Sequence, residues 1–167
     1  MNGGLLLLRD QLKQGMRDKQ SGVDMMNAIS LTQAHQMIEQ ALAAGEAMGL
    51  KPLTVAVLDA GGHLKALARA DGASTLRPEM AIAKAYGCIA LGVGGRWLNK
   101  NGVERPHFMD GVVALAGGKV LPVAGGVLIR HNGVIIGAIG ITGDTSDHDE
   151  AAAITAVEAL GFTADCG

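Results

Sequence analysis

The sequence contains few cysteines and few aromatic residues. Its 167 residues include two cysteines, one tryptophan, one tyrosine and two phenylalanines. Cys88 and Cys166 lie far apart in the chain, and Cys88 falls within an apolar helical pattern. We therefore expect a buried free thiol at Cys88 rather than a disulfide framework. The absence of such a framework fits a reducing compartment.

Long apolar runs and an excess of positive charge are also missing. The run Leu5–Leu8 is shorter than the roughly 7–15 apolar residues of a secretory signal. No run approaches the ~20 apolar residues that a membrane-spanning helix needs. The formal net charge is −2, and no basic stripe is present to bind nucleic acid. These features predict a soluble, cytoplasmic protein without membrane or nucleic-acid partners.

Apolar residues and glycine, by contrast, are plentiful. About half of the residues are hydrophobic, which is enough to form a full core without disulfide bonds or structural metals. The 25 glycines favour close backbone contacts. Residues 30–167 are predicted to form one domain. Residues 1–29 are predicted to be either a flexible arm or a short helix packed on a neighbouring subunit, because apolar residues recur at helical spacing from Leu5 to Met16.

The spacing of apolar residues predicts helices that alternate with strand hairpins. The first helix begins after Ser30, which forms a capping box with Gln33. A hairpin turns at 59–62, a helix runs from Pro78 to about Leu91, and two short helices follow. With the two short helices counted together, a second hairpin and a final helix complete the order α-β-β-α-α-β-β-α, with one further short strand at 119–121. The predicted fold class is α+β, with a mainly antiparallel sheet flanked by helices.

Asn132-Gly133 provides the clearest turn signal in the chain. The dipeptide lies between two β-branched runs and suits a type I′ turn, which needs positive φ at both central residues. A two-residue loop then sets the pairing of the two strands. The predicted pairs are His131 with Val134, Ile129 with Ile136, and Val127 with Ala138.

The start of the last helix is rich in acidic residues. Ser146 and Asp149 fit a second capping box, and carboxylates at a helix N-terminus complement the helix dipole. The same residues also offer oxygen ligands for a divalent metal. Capping and the dipole account for the acidic residues without a metal, so we predict no metal site. The residues concerned are Asp144, Asp147, His148, Asp149 and Glu150.

Lys84 is the first candidate binding residue, because it is the one charge inside an otherwise apolar helix. A lone ammonium there suits a ligand carboxylate; alternatively, it reaches solvent or pairs with an acidic residue. Arg69 ends a strand beside Asp71, and together with Lys84 it would build an anion pocket. Arg69 is equally well explained by an ion pair with Asp71 or a neighbouring acid.

The histidines do not show the spacing of a metal site. His35 lies beside the apolar face of the first helix and is the best nitrogen candidate for an axial haem ligand, with a partly buried structural role as the alternative. His63 and His131 are placed at hairpin turns and are predicted to be exposed. Cys88 has no visible base partner, which argues against a nucleophile.

Several segments together resemble one protein family, the GlcG/HbpS family, whose domain is also called the haem-degrading domain. The similarity covers residues 30–162, and a related domain forms the C-terminal part of some PduO corrinoid adenosyltransferases. The segments that carry the resemblance are Val55–Leu64, Arg69–Ala73, Ile82–Ala85, Ala124–Val127, Gly137–Gly143 and Asp149–Ala152.

The resemblance implies a fold, an assembly and a ligand class. It implies a five-stranded antiparallel sheet resembling the profilin-like fold, homo-oligomers such as octamers or tetramers, and binding of haem or a corrinoid in some members. The family commonly has Gly-Gly-x-Pro where this chain has Gly125-Gly126-Val127-Leu128. An oxygen ligand at position x is therefore missing, because Val127 cannot supply one.

Three hypotheses for function follow. The first is a small-molecule-binding protein of the GlcG/HbpS type, accessory to a catabolic pathway, with Lys84, Arg69, His35 and Asp71 at the ligand. The second is an enzyme that acts by proton transfer on a small carboxylated intermediate, with Lys84 as binding group or base. The third is a structural oligomeric module. The residues do not identify a catalytic group.

Overall fold

The structure, a computed structural model, describes residues 28–167. The predicted arm or helix before residue 28 lies outside the described residues. The described part begins with Ile29, which is buried and whose backbone N–H donates to the carbonyl oxygen of Ile136 at 3.3 Å. The chain is therefore already attached to the sheet when it enters the first helix.

The described residues form five helices and five strands. In chain order they are α1 (Leu31–Ala47), β1 (Thr54–Asp59), β2 (Leu64–Arg69), α2 (Arg77–Leu91), α3 (Gly95–Glu104), α4 (Pro106–Leu115), β3 (Gly126–His131), β4 (Val134–Thr142), α5 (Ser146–Ala159) and β5 (Thr163–Asp165). The predicted element order is confirmed up to α5. The short strand predicted at 119–121 is wrong, and β5 was not predicted.

The five strands form one sheet in the order β2-β1-β4-β3-β5, and each neighbouring pair is antiparallel. The predicted α+β class with a mainly antiparallel sheet is therefore confirmed. Three residues suffice for β5 because its neighbour β3 holds it at the sheet edge. Residues 119–121 pair with no strand; instead, the Leu121 N–H donates to the Ala83 carbonyl of α2 at 3.4 Å.

The β3–β4 hairpin has the predicted turn but a different register beyond it. Asn132 and Gly133 both have positive φ, of 49° and 79°, and His131 pairs with Val134 as predicted. A bulge between Ile129 and Arg130 then shifts the pairing by one residue, so that Ile129 pairs with Gly137. The other two predicted pairs are wrong, because one extra residue in a strand reverses which side chains oppose each other.

Helices cover both faces of the sheet. On one face α1 and α5 pack on alternate strand residues, including Val55, Val127 and Ile139. On the other face α2, α3 and α4 cover the intervening residues, including Leu58, Leu128 and Ala138. Burial of both faces explains why these strands are apolar at nearly every position rather than at alternate positions.

The capping box of α1 is confirmed. The Ser30 side chain accepts from the Gln33 N–H, and the Gln33 side chain accepts from the Ser30 N–H. The capping box predicted for α5 is wrong, because Thr145 is its N-cap residue and accepts from the His148 N–H. Within residues 28–167, no helix has the length and apolar character needed to cross a bilayer.

Candidate functional site

Lys84 lies on the inner side of α2, with only 2% of its side chain exposed. Its Nζ donates to Oδ2 of Asp149 at 2.8 Å and to the carbonyl oxygen of Ile141 at 2.9 Å. Asp149 is equally buried, and its other carboxylate oxygen accepts from the Asp144 N–H. The ammonium is thus buried in an ion pair. This agrees with the alternative given in the sequence analysis, in which Lys84 pairs with an acidic residue.

Burial shifts the pKa of both members of this pair. It lowers the pKa of Lys84 below its ordinary value, and the attraction of Asp149 offsets only part of that effect. Burial likewise raises the pKa of Asp149, against the opposing influence of Lys84. Both shifts have the same cause, since a low-dielectric interior disfavours the charged form of each group.

The glycines near Lys84 keep the helix close to the sheet. A Cβ on Gly125, whose φ is 105°, would lie 2.7 Å from the Lys84 Nζ. A Cβ on Gly126 would lie 2.8 Å from the Cys88 Sγ, and one on Gly140 would overlap the Ala81 carbonyl oxygen. The glycines in two segments of the family resemblance, Ala124–Val127 and Gly137–Gly143, therefore have a structural role. They allow α2 to approach β3 and β4 closely.

Arg69 and Asp71 lie on the surface, whereas Lys84 is buried. The Arg69 Nη1 donates to the carbonyl oxygen of Ala73 and so closes the 70–73 loop. Asp71 lines a cleft of about 370 Å³ with the end of α1 and the segment Lys51–Leu53. Neither Lys84 nor Arg69 lines this cleft or a second cleft, which lies between the β1–β2 turn and α2. A ligand role for these three residues stays a prediction.

His35 is exposed on the outer side of α1. It lines neither the cleft that contains Asp71 nor the cleft between the β1–β2 turn and α2. A partly buried structural role, the sequence alternative, is wrong, because Ala34, Met37 and Ile38 turn inward while His35 turns to the surface. Its role as a haem ligand also stays a prediction.

The acidic residues at the start of α5 are used in contacts within the protein. Asp147 and Glu150 form ion pairs with Arg96 of α3, and Asp149 binds Lys84. Asp144 accepts from the Lys51 N–H at 3.0 Å and contacts His148 at 2.8 Å. Among residues 28–167, no three His, Cys, Asp or Glu side chains are grouped to hold a metal ion.

Cys88 is buried against the sheet, in the manner expected from its helical pattern. Burial, with smaller contributions from Asp165 and Glu150, raises the pKa of its thiol to about 12. A thiol with this pKa is protonated at neutral pH, so it does not act as a nucleophile.

The second cleft lies between the β1–β2 turn and α2 and has a volume of about 490 Å³. Its floor is a stripe on α2 formed by Glu79, Ile82, Ala83 and Tyr86, which share one helix face because of their spacing. The turn residues Gly61–His63 form one wall, and Gly118 and Lys119 form the other. The volume is within the roughly 300–1,000 Å³ of small-molecule sites.

His63 is the residue at this cleft that sequence reasoning passed over. Its side chain is 82% exposed, as predicted for a hairpin turn, but the turn lies directly beside the cleft. Its Nδ1 is 3.4 Å from Oδ1 of Asp59. The sequence signal for this residue is the Asp59-x-x-x-His63 spacing across the turn, which pairs a histidine with a carboxylate rather than with a second histidine.

The lining of this cleft suits a flat, largely apolar ligand that carries a carboxylate and a metal. Ile82, Ala83 and Tyr86 offer apolar surface, the imidazole of His63 offers a nitrogen ligand, and the ammonium of Lys119 offers a cation. The residues present therefore fit a haem-like group better than a free divalent ion, for which oxygen ligands are too few here.

Comparisons with known proteins agree with the fold. In the structure of a PduOC–haem complex, 99% of that chain matches 83% of this one, with a TM-score of 0.75 and 26% identity. The structure of HbpS matches with a TM-score of 0.70 and 27% identity, over 91% of that chain and 80% of this one.

Two curated proteins of Citrobacter freundii are also similar. The corrinoid adenosyltransferase PduO is 26% identical over 133 residues, which are 80% of this chain and 39% of PduO. An uncharacterized 15.0 kDa protein from the dhaT–dhaS intergenic region is 27% identical over 107 residues, 64% of this chain and 75% of that protein. This chain thus spans about two fifths of PduO.

Residues 29–158 match the family model described as haem degrading protein HbpS-like. The matched range runs from the residue that joins the chain to β4 through to the last turn of α5, and so contains every segment on which the sequence resemblance rests. The chain belongs to the HbpS-like family.

Proposed function

We propose that this protein binds haem or a closely related tetrapyrrole. The observation that carries the proposal is the match between this chain and the PduOC–haem complex over nearly the whole of that chain. The cleft beside α2 supports it, because its volume and lining suit such a ligand. An accessory role in a catabolic pathway is part of the same proposal and rests on the family resemblance.

The residues of this chain would hold the group by three kinds of contact. Ile82 and Tyr86 would cover part of the ring, a histidine would bind the metal, and Lys119 would pair with a carboxylate. Bound haem would supply an iron centre that accepts a nitrogen ligand. Asp71 stays a candidate for a ligand at the other cleft, and Arg69 stays a candidate outside both clefts. Lys84 would first have to leave Asp149.

A haemin titration of the purified full chain tests the proposal. We expect a saturable shift of the Soret band at micromolar haemin, with a defined number of sites per chain. A parallel titration with a corrinoid, hydroxocobalamin, distinguishes the two ligand classes that the resemblance implies. The absence of a saturable shift with haemin, in a sample whose circular dichroism is that of a folded protein, would overturn haem binding.

The lowered pKa of Lys84 favours a second candidate, an enzyme that acts by proton transfer on a small carboxylated compound. A lysine that loses its proton more easily is closer to the requirement for a general base. Its burial against Asp149 means that a substrate would reach it only after a local opening. Thermal shift in the presence of small organic acids tests this candidate, since a ligand that binds the folded state raises the melting temperature.

The expected result differs between the two candidates. Stabilisation by haemin, with no response to the acids, favours the tetrapyrrole-binding protein. Stabilisation by one acid, with no response to haemin, favours the enzyme. If neither haemin nor the acids bind while the protein forms a defined oligomer, the result favours the third hypothesis, a structural oligomeric module.

A further inference from the structure

We propose that His63 ligates the iron of the bound tetrapyrrole through Nε2, and that Asp59 positions the His63 ring for this role. The inference rests on the proposed function and assigns its metal ligand. It places the tetrapyrrole in the cleft between the β1–β2 turn and α2 rather than at His35 on the outer side of α1.

The Asp59 carboxylate is fixed by the turn that it closes. Its Oδ1 accepts from the Gly61 N–H at 2.9 Å and from the His63 N–H at 3.0 Å. Its backbone is also held, because the Asp59 N–H donates to the His63 carbonyl oxygen and the Gly62 N–H donates to the Asp59 carbonyl oxygen, each at 2.9 Å. The carboxylate therefore has a defined position before any ligand binds.

The same carboxylate oxygen faces one nitrogen of the His63 ring. The Nδ1 of His63 lies 3.4 Å from Oδ1 of Asp59, which favours the tautomer with a proton on Nδ1. In the neutral ring, Nε2 then carries the free lone pair. Histidines that bind metals commonly donate their other N–H to a carboxylate, which fixes the ring and raises its basicity.

Two glycines make room for this arrangement. A Cβ on Gly61 would lie 2.9 Å from the His63 Nδ1 and would displace the ring. Gly62 has a φ of 79°, and a Cβ there would lie 3.2 Å from the Tyr86 ring. The turn thus brings His63 and Tyr86 to the same cleft, with a nitrogen ligand on the turn and an aromatic surface on α2.

The alternative is that His63 and Asp59 form only an exposed pair that stabilises a turn. A turn role and a ligand role differ in their dependence on the metal. Removing a turn contact would weaken the binding of any porphyrin that uses the cleft, whereas removing an iron ligand would weaken haemin selectively. Metal-free protoporphyrin IX is therefore the probe that separates the two roles.

The experiment titrates four variants of the full chain, His63→Ala, Asp59→Asn, His107→Ala and His35→Ala, with haemin and with metal-free protoporphyrin IX. His63→Ala is expected to lose the Soret band of the histidine-ligated form and to bind haemin at least about 10-fold more weakly, while protoporphyrin binding is retained. Asp59→Asn keeps an oxygen for the two backbone N–H groups but removes the charge, and should weaken haemin about 10-fold with little change in protoporphyrin binding. His107→Ala, an exposed histidine on α4, is the control.

Chemical rescue provides a second measurement. In His63→Gly, added imidazole should restore the ligated Soret band, because it replaces the deleted ring without a covalent link. The fourth variant, His35→Ala, tests the competing ligand and should bind haemin as the wild type does.

The outcomes separate this inference from the proposed function. If the wild type binds no haemin, the proposed function fails. If the wild type binds haemin and His63→Ala binds it equally well, or if only His35→Ala loses the ligated band, the proposed function stands and His63 is not the ligand. Equal losses for haemin and protoporphyrin in His63→Ala and Asp59→Asn would assign the pair a structural role and overturn the inference.

Discussion

Lys84 and Asp149 join the two faces of the molecule through an ion pair of 2.8 Å. Lys84 belongs to α2 on one face of the sheet, and Asp149 belongs to α5 on the other. Arg96 of α3 and Glu150 of α5 make a second link of the same kind beside it. The start of α5 is thus attached to the opposite helical layer by two adjacent ion pairs.

Removing one member of the buried pair should strongly destabilise the protein. Asp149→Ala leaves the Lys84 ammonium without its partner in a dry environment, and we expect the free energy of unfolding to fall by about 3–5 kcal/mol. Urea denaturation followed by circular dichroism measures the change. Lys100→Met, at an exposed site on α3, is the control and should change stability by less than about 0.5 kcal/mol.

Replacing both members with apolar residues should cost much less than replacing one. In Lys84→Met with Asp149→Leu no buried charge is left unpaired, so the double variant is expected to be more stable than Asp149→Ala. A double-mutant cycle measures the coupling between the positions. Strictly additive losses would contradict the view that the two charges depend on each other.

Asp144 should make stability fall at acid pH. Hydrogen bonds from the Lys51 N–H, from His148 and from the Thr145 N–H hold the pKa of Asp144 well below its ordinary 3.8. When the pH falls below that ordinary value, Asp144 is protonated in the unfolded state but still ionised in the folded state. The stability that Asp144 contributes at higher pH is therefore lost progressively as the pH falls toward its folded-state pKa. Urea midpoints of the wild type should therefore decrease over this range.

Asp144→Asn should flatten this acid-range profile. Asp149 acts in the opposite direction because its pKa is raised, so the informative quantity is the difference between variant and wild type at each pH. Asp110→Asn, at an exposed position on α4, is the matched control. Parallel profiles for wild type and Asp144→Asn would show that Asp144 is not the source of the pH dependence.

The N-terminus of α5 should depend on Thr145 rather than on Ser146. The Thr145 hydroxyl accepts from the His148 N–H at 3.3 Å, so Thr145→Ala removes a cap and should cost about 1 kcal/mol. Ser146→Ala lies inside the helix and should have a much smaller effect. Chemical denaturation of the two variants measures the loss of stability in each. A larger loss for Ser146→Ala would favour Ser146, the residue predicted from sequence, as the N-cap.

Two glycine-to-alanine substitutions should have opposite effects. Gly140→Ala places a methyl group against the Ala81 carbonyl of α2 and should destabilise the protein by about 1–3 kcal/mol or more. Gly111 lies in α4 with open space around it, so Gly111→Ala should stabilise the helix by about 0.5–1 kcal/mol. Thermal unfolding of both variants provides the measurement. Destabilisation by both substitutions would indicate that another group occupies the space beside Gly111 in solution.

The local signals in the sequence were reliable where the interaction itself is local. The Ser30–Gln33 cap, the Asn132-Gly133 turn and the Pro106 helix start all depend on residues within a few positions of one another. The strand β5 had no such signal, because its three residues are held in the sheet by pairing with β3. The bulge between Ile129 and Arg130 likewise had no signal in the residues of the hairpin.

The candidate site was harder to predict, because side chains that are distant in sequence decide which residues are available to a ligand. Lys84 was identified as unusual, but the sequence left open its pairing with Asp149, 65 positions away. For His63 the turn sequence predicts only exposure. Its position beside Tyr86 depends on the packing of the β1–β2 turn against α2, which together bound one cleft.

The sequence by itself determined the helices, the hairpins, the antiparallel class and the family resemblance, because periodicity, caps and turn residues act over short stretches of chain. Tertiary structure alone decided the strand register beyond the bulge, the burial of Lys84 and the meeting of His63 with the face of α2. These features depend on which surfaces the folded sheet brings into contact, and that is set by packing across the whole domain.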